Sequence, residues 1–233
     1  MKWVPDNTGR FKYRPYYEAG EIDCICDELI TGFLREKYGS VKMPILTDDI
    51  ELLIESKTSD FDPYADLTEE GKNVEGMTEF YKDFEPAIFI SESLSHHYFQ
   101  ENRRRTTLTH ELGHVIIHAP LWAYNELWTD NSDKQPIRCN RENIENASVN
   151  DWMEWQAYYA SGAYLMPISQ ITLVATEVVD LVKDSGPFYV DSSPGRGLID
   201  RVKKTFHVSG AATRVRLQQL GYITNDLEKA TIS

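Results

Sequence analysis

Asn102 to His118 reads NRRRTTLTHELGHVIIH, and this stretch decides the fold. The spacing predicts one helix over 102–118: Asn102 is placed to cap it, Leu108, Leu112, Val115 and Ile116 form its buried side, and Pro120 helps end it. Inside it lies His110-Glu111-Leu112-Gly113-His114, an H-E-x-x-H pattern. Residues four apart on a helix differ by about 40° around the axis, so both imidazoles can reach one metal ion. Glu111 projects beside them and is placed to take a proton from a water that the ion has acidified. A chain of this composition yields about 0.01 chance matches to the pattern, so His110 and His114 are read as ligands and Glu111 as catalytic base.

A catalytic zinc takes three protein ligands, so one more is required. His118 sits two turns from His110, about 12 Å along the axis, and is read as closing the helix C-terminus. The continuation H-x-x-G-x-x-H is absent, because Val115, Ile116, Ile117 and His118 follow His114. His96 and His97 precede the helix and read as solvent-exposed. Asp151 and Glu154, opening the next predicted helix at Trp152–Leu165, are the acidic candidates, and spacing leaves them even. Ala157, Ala160, Ser161, Gly162 and Ala163 are small and let that helix approach another closely.

Outward from this pair of helices, residues 21–38 carry Ile22, Ile25, Leu29 and Phe33 at helical spacing, with Gly39 as a stop. A second helix begins at Thr47, a candidate cap, with Ile50, Leu53 and Ile54 on its buried side. Residues 56–73 are acidic and turn-rich and read as loop. Met77–Tyr81 and Ala87–Ser91, separated by KDFEP, read as an antiparallel pair. The interval 121–151 is long and irregular, and such connections are often functional. Its Trp122, Tyr124 and Trp128 either pack the loop itself or make it a lid or exosite that selects a folded partner. After Pro167 come Ile168–Lys183, with Ser169 as cap, and then Leu198–Phe206 and Ala211–Leu220, joined by a short turn.

With 24 basic and 37 acidic residues the net charge is −13, a poor footing for non-specific binding to nucleic acid or to an anionic membrane. The exception is Arg196 to Tyr222, with Arg196, Arg201, Lys203, Lys204, Arg214 and Arg216 against Asp200 alone. Its helix, turn, helix plan offers DNA contact through Arg196–Arg216 as the rival to a hairpin packed on the catalytic domain. Cys24, Cys26 and Cys139 are too few for a disulfide framework, and Cys24 and Cys26 read as buried free thiols. With no apolar run of about 20 residues and no leader-like N-terminus, the expected compartment is the cytoplasm.

Taken together, PAIFISESL, RRRTTLTHELGHVIIH, DWMEWQAYYASGAYLMP and FHVSGAATRVRLQQLGYI resemble the ImmA/IrrE metallopeptidases, from about Glu75 to Ile223. The resemblance implies an α+β, zincin-like fold, mainly helical, with a small antiparallel or mixed sheet whose edge strand borders the metal cleft. It implies a metallopeptidase domain over 1–167 and a helical segment over 168–233, packed on it. It favours Glu154 over Asp151, because Ala157 and Leu165-Met166-Pro167 follow as in the family, and it implies one Zn²⁺ on His110, His114 and Glu154. It makes Ala87, Ile88, Phe89, Ile90 and Ser91 an edge strand that holds substrate by strand addition. The implied substrate is a cytoplasmic helix-turn-helix repressor. The rival from another class is a regulator that keeps the fold for binding only, without catalysis.

Overall fold

The computed structural model describes residues 1–71, 73–94, 100–122, 134–140, 151–182 and 187–230, with 134–140 known by backbone. In chain order they form β1 (Lys2–Pro5), β2 (Tyr13–Tyr16), α1 (Ala19–Tyr38), α2 (Thr47–Glu55), β3 (Asp60–Ala65), β4 (Val74–Tyr81) and β5 (Ala87–Ser91). Then come α3 (Glu101–Gly113), a π-helical turn His114–His118, α4 (Ala119–Trp122), β6 (Lys134–Asn140), α5 (Trp152–Leu165) and α6 (Ile168–Val182). The chain ends with β7 (Phe188–Tyr189), α7 (Ser193–Phe206), α8 (Gly210–Gln219) and β8 (Ile223–Thr224). The class is α+β, as expected. Two compact units divide it: Met1–Ile22 with Leu46–Ser161, and Asp23–Ile45 with Gly162–Ser233.

The first unit holds a four-stranded mixed sheet ordered β3-β5-β4-β6. The β4–β5 antiparallel pair forms as the sequence predicts, Gly76 opposite Ile90 and Glu79 opposite Ala87. Two expectations fail around it. Residues 60–65 are a strand, not loop: Asp60, Phe61 and Asp62 pair in parallel with Ala87, Ile88 and Phe89. Pro63 hides the strand from a sequence reading, and it sits where the register shifts between Asp62 and Ala65, the kind of irregularity that tolerates a proline. As a result β5 is flanked on both sides and is not an edge. Ala87, Ile88, Phe89, Ile90 and Ser91 have their backbone groups committed to β3 and β4, and Ala87, Ile88, Ile90 and Ser91 are buried. They cannot bind an added strand.

Successive side chains of β4 face opposite sides. Phe80 stacks on Trp122 with ring centroids 5.3 Å apart, in a cluster with Leu121, Trp152 and Met153. Trp122 is therefore core, not a partner anchor. Met77 packs on the other side with Ala65, Leu67 and Val74. In α2 the predicted side, Ile50, Leu53 and Ile54, is buried, but Thr47 does not cap it. Leu46 holds the cap position, and the Thr47 hydroxyl donates to Glu101.

In the second unit, α1 buries Cys26, Ile30 and Leu34, a stripe set one residue on from the expected Ile25, Leu29 and Phe33, which are only half-buried. The cause is polar. Arg216 of α8 is 1% exposed and pairs with Asp23 of α1 at 2.6 Å, while its Nε donates to the Met166 carbonyl. Bringing Asp23 inward turns Cys26 with it. Burial pushes the Cys26 thiol well up, against a hydrogen bond to Tyr164, whereas Cys24 is exposed. Truncating one partner of such a pair strands the other, so Arg216→Ala is expected to cost about 3–5 kcal/mol, read as a lowered urea midpoint. These links tie residues 23–45 to the C-terminal helices, a grouping that differs from a division at 167/168.

The tail folds as two helices joined by a short turn. Ser192 caps α7 by accepting from Gly195 N at 3.1 Å, and Ser209 caps α8 by accepting from Ala212 N at 3.1 Å. The predicted cap Ser169 lies inside α6 and instead bonds Asp27 through both its backbone N and its hydroxyl. Of the basic tail, Arg216 is buried and Arg201 pairs with Glu177, so two cations are spent within the unit. Among the described residues no single helix is long and apolar enough to cross a membrane.

Candidate metal centre

Helix α3 is polar in sequence yet almost wholly buried from Arg104 to Gly113. Buried polar groups need partners, and several on α3 find them in neighbouring elements. Arg104 pairs with Glu51 at 2.7 Å and donates to the Pro63 carbonyl at 3.2 Å; Arg103 pairs with Glu75; the Thr109 hydroxyl meets that of Ser161 at 2.8 Å. Ala157 and Ala160 of α5 act as expected. A Cβ at Gly113 would lie 3.2 Å from Ala157 Cα and from Ala160 Cβ, so the glycine of H-E-L-G-H lets the two metal-facing helices touch. Gln100, not Asn102, holds the cap position of α3.

The predicted single helix widens to a π turn at His114–His118. The wider turn carries Ile117 into the core in place of Ile116, which is half-buried, and the Tyr17 hydroxyl donates to the Ile117 carbonyl at 3.4 Å. Such turns are frequent at functional sites. His118 does not close a helix C-terminus, since α4 follows directly, and it is fully buried: its Nδ1 lies 3.0 Å from His114 Nδ1 and its Nε2 3.0 Å from Gln156 Oε1.

His110, His114 and Glu154 converge, each offering one ligand atom. The two Nε2 atoms are 3.1 Å apart, His110 Nε2 is 3.2 Å from Glu154 Oε2, and His114 Nε2 is 3.5 Å from Glu154 Oε1. Three ligands at about 2.0–2.1 Å around a tetrahedral ion stand about 3.3 Å from one another. The trio therefore fits a metal ion, and its buried side chains exclude competing solvent on the protein side. Asp151, the rival for third ligand, is otherwise engaged. Its Oδ1 accepts from Met153 N at 3.2 Å and Glu154 N at 3.4 Å at the start of α5, and Arg10 holds it at 3.1 Å.

Glu111 is fully buried beside the trio. Thr78 of β4 donates to its Oε2 at 2.7 Å, while Oε1 has no hydrogen-bond partner among the described residues. A Cβ at Gly76 would fall 2.5 Å from that Oε1, so only glycine lets the strand pass. Gly76→Ala is expected to displace the carboxylate and leave the His110, His114 and Glu154 group in place, as a structure of the variant beside metal analysis would show. Burial raises the Glu111 carboxyl above the usual range, against the opposing pull of His114 and His110. Burial would do the same to Glu154, but the imidazoles of His110 and His114 beside it outweigh it and hold that carboxyl well below the usual range. Burial lowers His114, yet Glu154 beside it leaves the net shift upward. Burial and neighbouring His114 hold His118 well below the ordinary histidine value.

Sequence reasoning missed Thr78, Gln156 and the inward turn of His118. Only Gly76 left a signal, an isolated glycine inside a strand, which marks a close approach. His96, His97, Tyr124, Trp128 and the Cys139 side chain lie outside the described residues. No protein-family model matches the chain, and no curated protein matches it.

Proposed function

We propose that the chain is a zinc endopeptidase of the zincin type, related to the ImmA/IrrE group, acting on a helix-turn-helix repressor. One observation carries the reading: two histidines and a carboxylate at tetrahedral spacing, with an unpartnered buried carboxylate oxygen, Glu111 Oε1, beside them. Mixed nitrogen and oxygen donors suit zinc. The sheet beside α3 and the third ligand on α5 support the zincin comparison, and the sequence resemblance supports the substrate class.

Zinc, when bound, supplies Lewis acidity that acidifies a water and polarises a peptide carbonyl. Glu111 does the proton work. Its Oε1 accepts the proton of the attacking water, and the same oxygen can return it to the departing amine. Thr78 keeps Oε2 occupied, so the carboxylate presents one oxygen to the reacting atoms.

Metal analysis of the purified protein is expected to give one zinc per chain. Hydrolysis of an unstructured protein and of helix-turn-helix repressors should stop with a chelator and return with zinc. Zinc bound without hydrolysis of any substrate would leave a binding protein, and no zinc bound would overturn the reading.

A further inference from the structure

We infer that His118 and Gln156 are positioning residues that fix which nitrogen of His114 is free to hold the metal. The inference rests on the metal-centre reading above and extends it to three groups beyond the ligands. Gln156 Nε2 lies 3.4 Å from the Pro15 carbonyl of β2. A carbonyl only accepts, so the amide nitrogen must face it, and Oε1 must face His118. His118 Nε2, 3.0 Å from that oxygen, must then carry a hydrogen to donate. In a neutral imidazole the other nitrogen is bare, so His118 Nδ1 accepts. His114 Nδ1, 3.0 Å away, must be the donor. That leaves His114 Nε2 as a lone pair, and Nε2 is the atom that meets His110 Nε2 and Glu154.

Every hydrogen in the chain Pro15, Gln156, His118, His114 is therefore assigned from one backbone carbonyl. All three side chains are at most 1% exposed, so water cannot reverse the sequence of donors. His118 is further held by Trp152, whose ring meets it edge-on at 5.5 Å between centroids. The π turn matters here. It sets the His114 and His118 rings 5.0 Å apart and tilted by 49°, with the two Nδ1 atoms facing. Among the described residues His110 has no such support, since its Nδ1 meets no hydrogen-bond partner there. The two ligand histidines are unequal, and His114 is the oriented one.

The test is zinc affinity, read by competition with a chromogenic chelator. His118→Leu removes the acceptor and is expected to weaken zinc about 10–100-fold, the usual cost of losing an outer partner of a ligand histidine. His118→Asn restores an acceptor where Nδ1 stood and should recover most of that loss. A merely structural role would leave Asn no better than Leu. Long-range proton–nitrogen NMR spectra of the zinc-loaded parent should show His118 protonated at Nε2 and His114 at Nδ1. The opposite tautomer of either ring overturns the inference, as does equal zinc affinity in His118→Leu and the parent. Failure of the parent to bind zinc is a different result and counts against the metal-centre reading.

The sheet register independently carries a second inference. The strand whose residues touch Glu111 is β4, with Gly76 and Thr78 on the face toward α3. An extended peptide aligned by main-chain bonds beside Glu111 needs a free edge of β4. One edge is taken by β5; along the other β6 runs antiparallel, with Thr78 opposite Ile137 and Met77 opposite Arg138. We propose that residues 134–140 are an internal occupant of the peptide-binding edge, which substrate must displace. This rests on the peptidase reading, but its test does not need catalysis. In metal-free protein, replacing 134–140 with Gly/Ser should speed hydrogen exchange of the β4 amides. A synthetic peptide copying 134–140 should protect those amides again in the variant, with an apparent Kd at least about tenfold below that for the parent, whose edge is occupied. Parental protection in the variant, or equal binding of the peptide to both proteins, overturns it.

Discussion

Glu111→Gln is expected to lower peptide hydrolysis by about 10²–10⁴-fold, the span attributed to a lost general base, with zinc still bound. The amide has nearly the shape of the carboxylate, and its oxygen can still accept from the Thr78 hydroxyl, which sits 2.7 Å from Oε2. The amide nitrogen would take the place of Oε1 and cannot accept the proton of the attacking water. Glu111 is not one of the three convergent ligands, so metal content should not change. Nor should the fold suffer: burial already opposes ionisation at this position, and a neutral amide avoids that penalty. Metal analysis and thermal unfolding beside the hydrolysis assay separate chemistry from structure. A variant with zinc bound and activity within a few-fold of the parent removes Glu111 from the mechanism.

Glu154→Ala is expected to lose zinc by more than the roughly 10–100-fold that an outer-shell change costs, because it takes away one of three ligands. Asp151→Ala, three residues earlier, should keep zinc within a few-fold. The two carboxylates look alike in sequence but do different work. Asp151 accepts from the backbone at the start of α5 and from Arg10, so its loss costs stability of about 0.5–2 kcal/mol, as for other helix caps. Glu154, one turn on, points at His110 and His114. Zinc titration of both variants, with urea unfolding of each, reads the two effects apart. If Asp151→Ala loses zinc and Glu154→Ala does not, the third ligand has been misassigned.

Local spacing was enough to bring the candidate site's first three residues together. His110, Glu111 and His114 lie within one turn and a fraction of one helix, where backbone geometry alone sets their relation. The same holds for the β4–β5 pair and the buried side of α2, whose patterns are short and clean. By spacing Glu154 was one of two even carboxylates; the family resemblance favoured it, and the structure shows Asp151 engaged at the start of α5 instead. The rest depended on long-range pairing. Nothing near 87–91 reveals that β3, interrupted by Pro63, would close off β5 and turn an expected edge into the sheet's interior. Nothing near Cys26 reveals that Arg216, far along the chain, would draw Asp23 inward and rotate α1. Thr78, Gln156 and His118 became parts of the site through partners 33, 38 and 141 residues away, a range at which side-chain identity carries no spacing signal. A helix's own period settles which residues share a face; which neighbour covers that face, and which polar groups must find each other there, is settled by the packing of the whole chain.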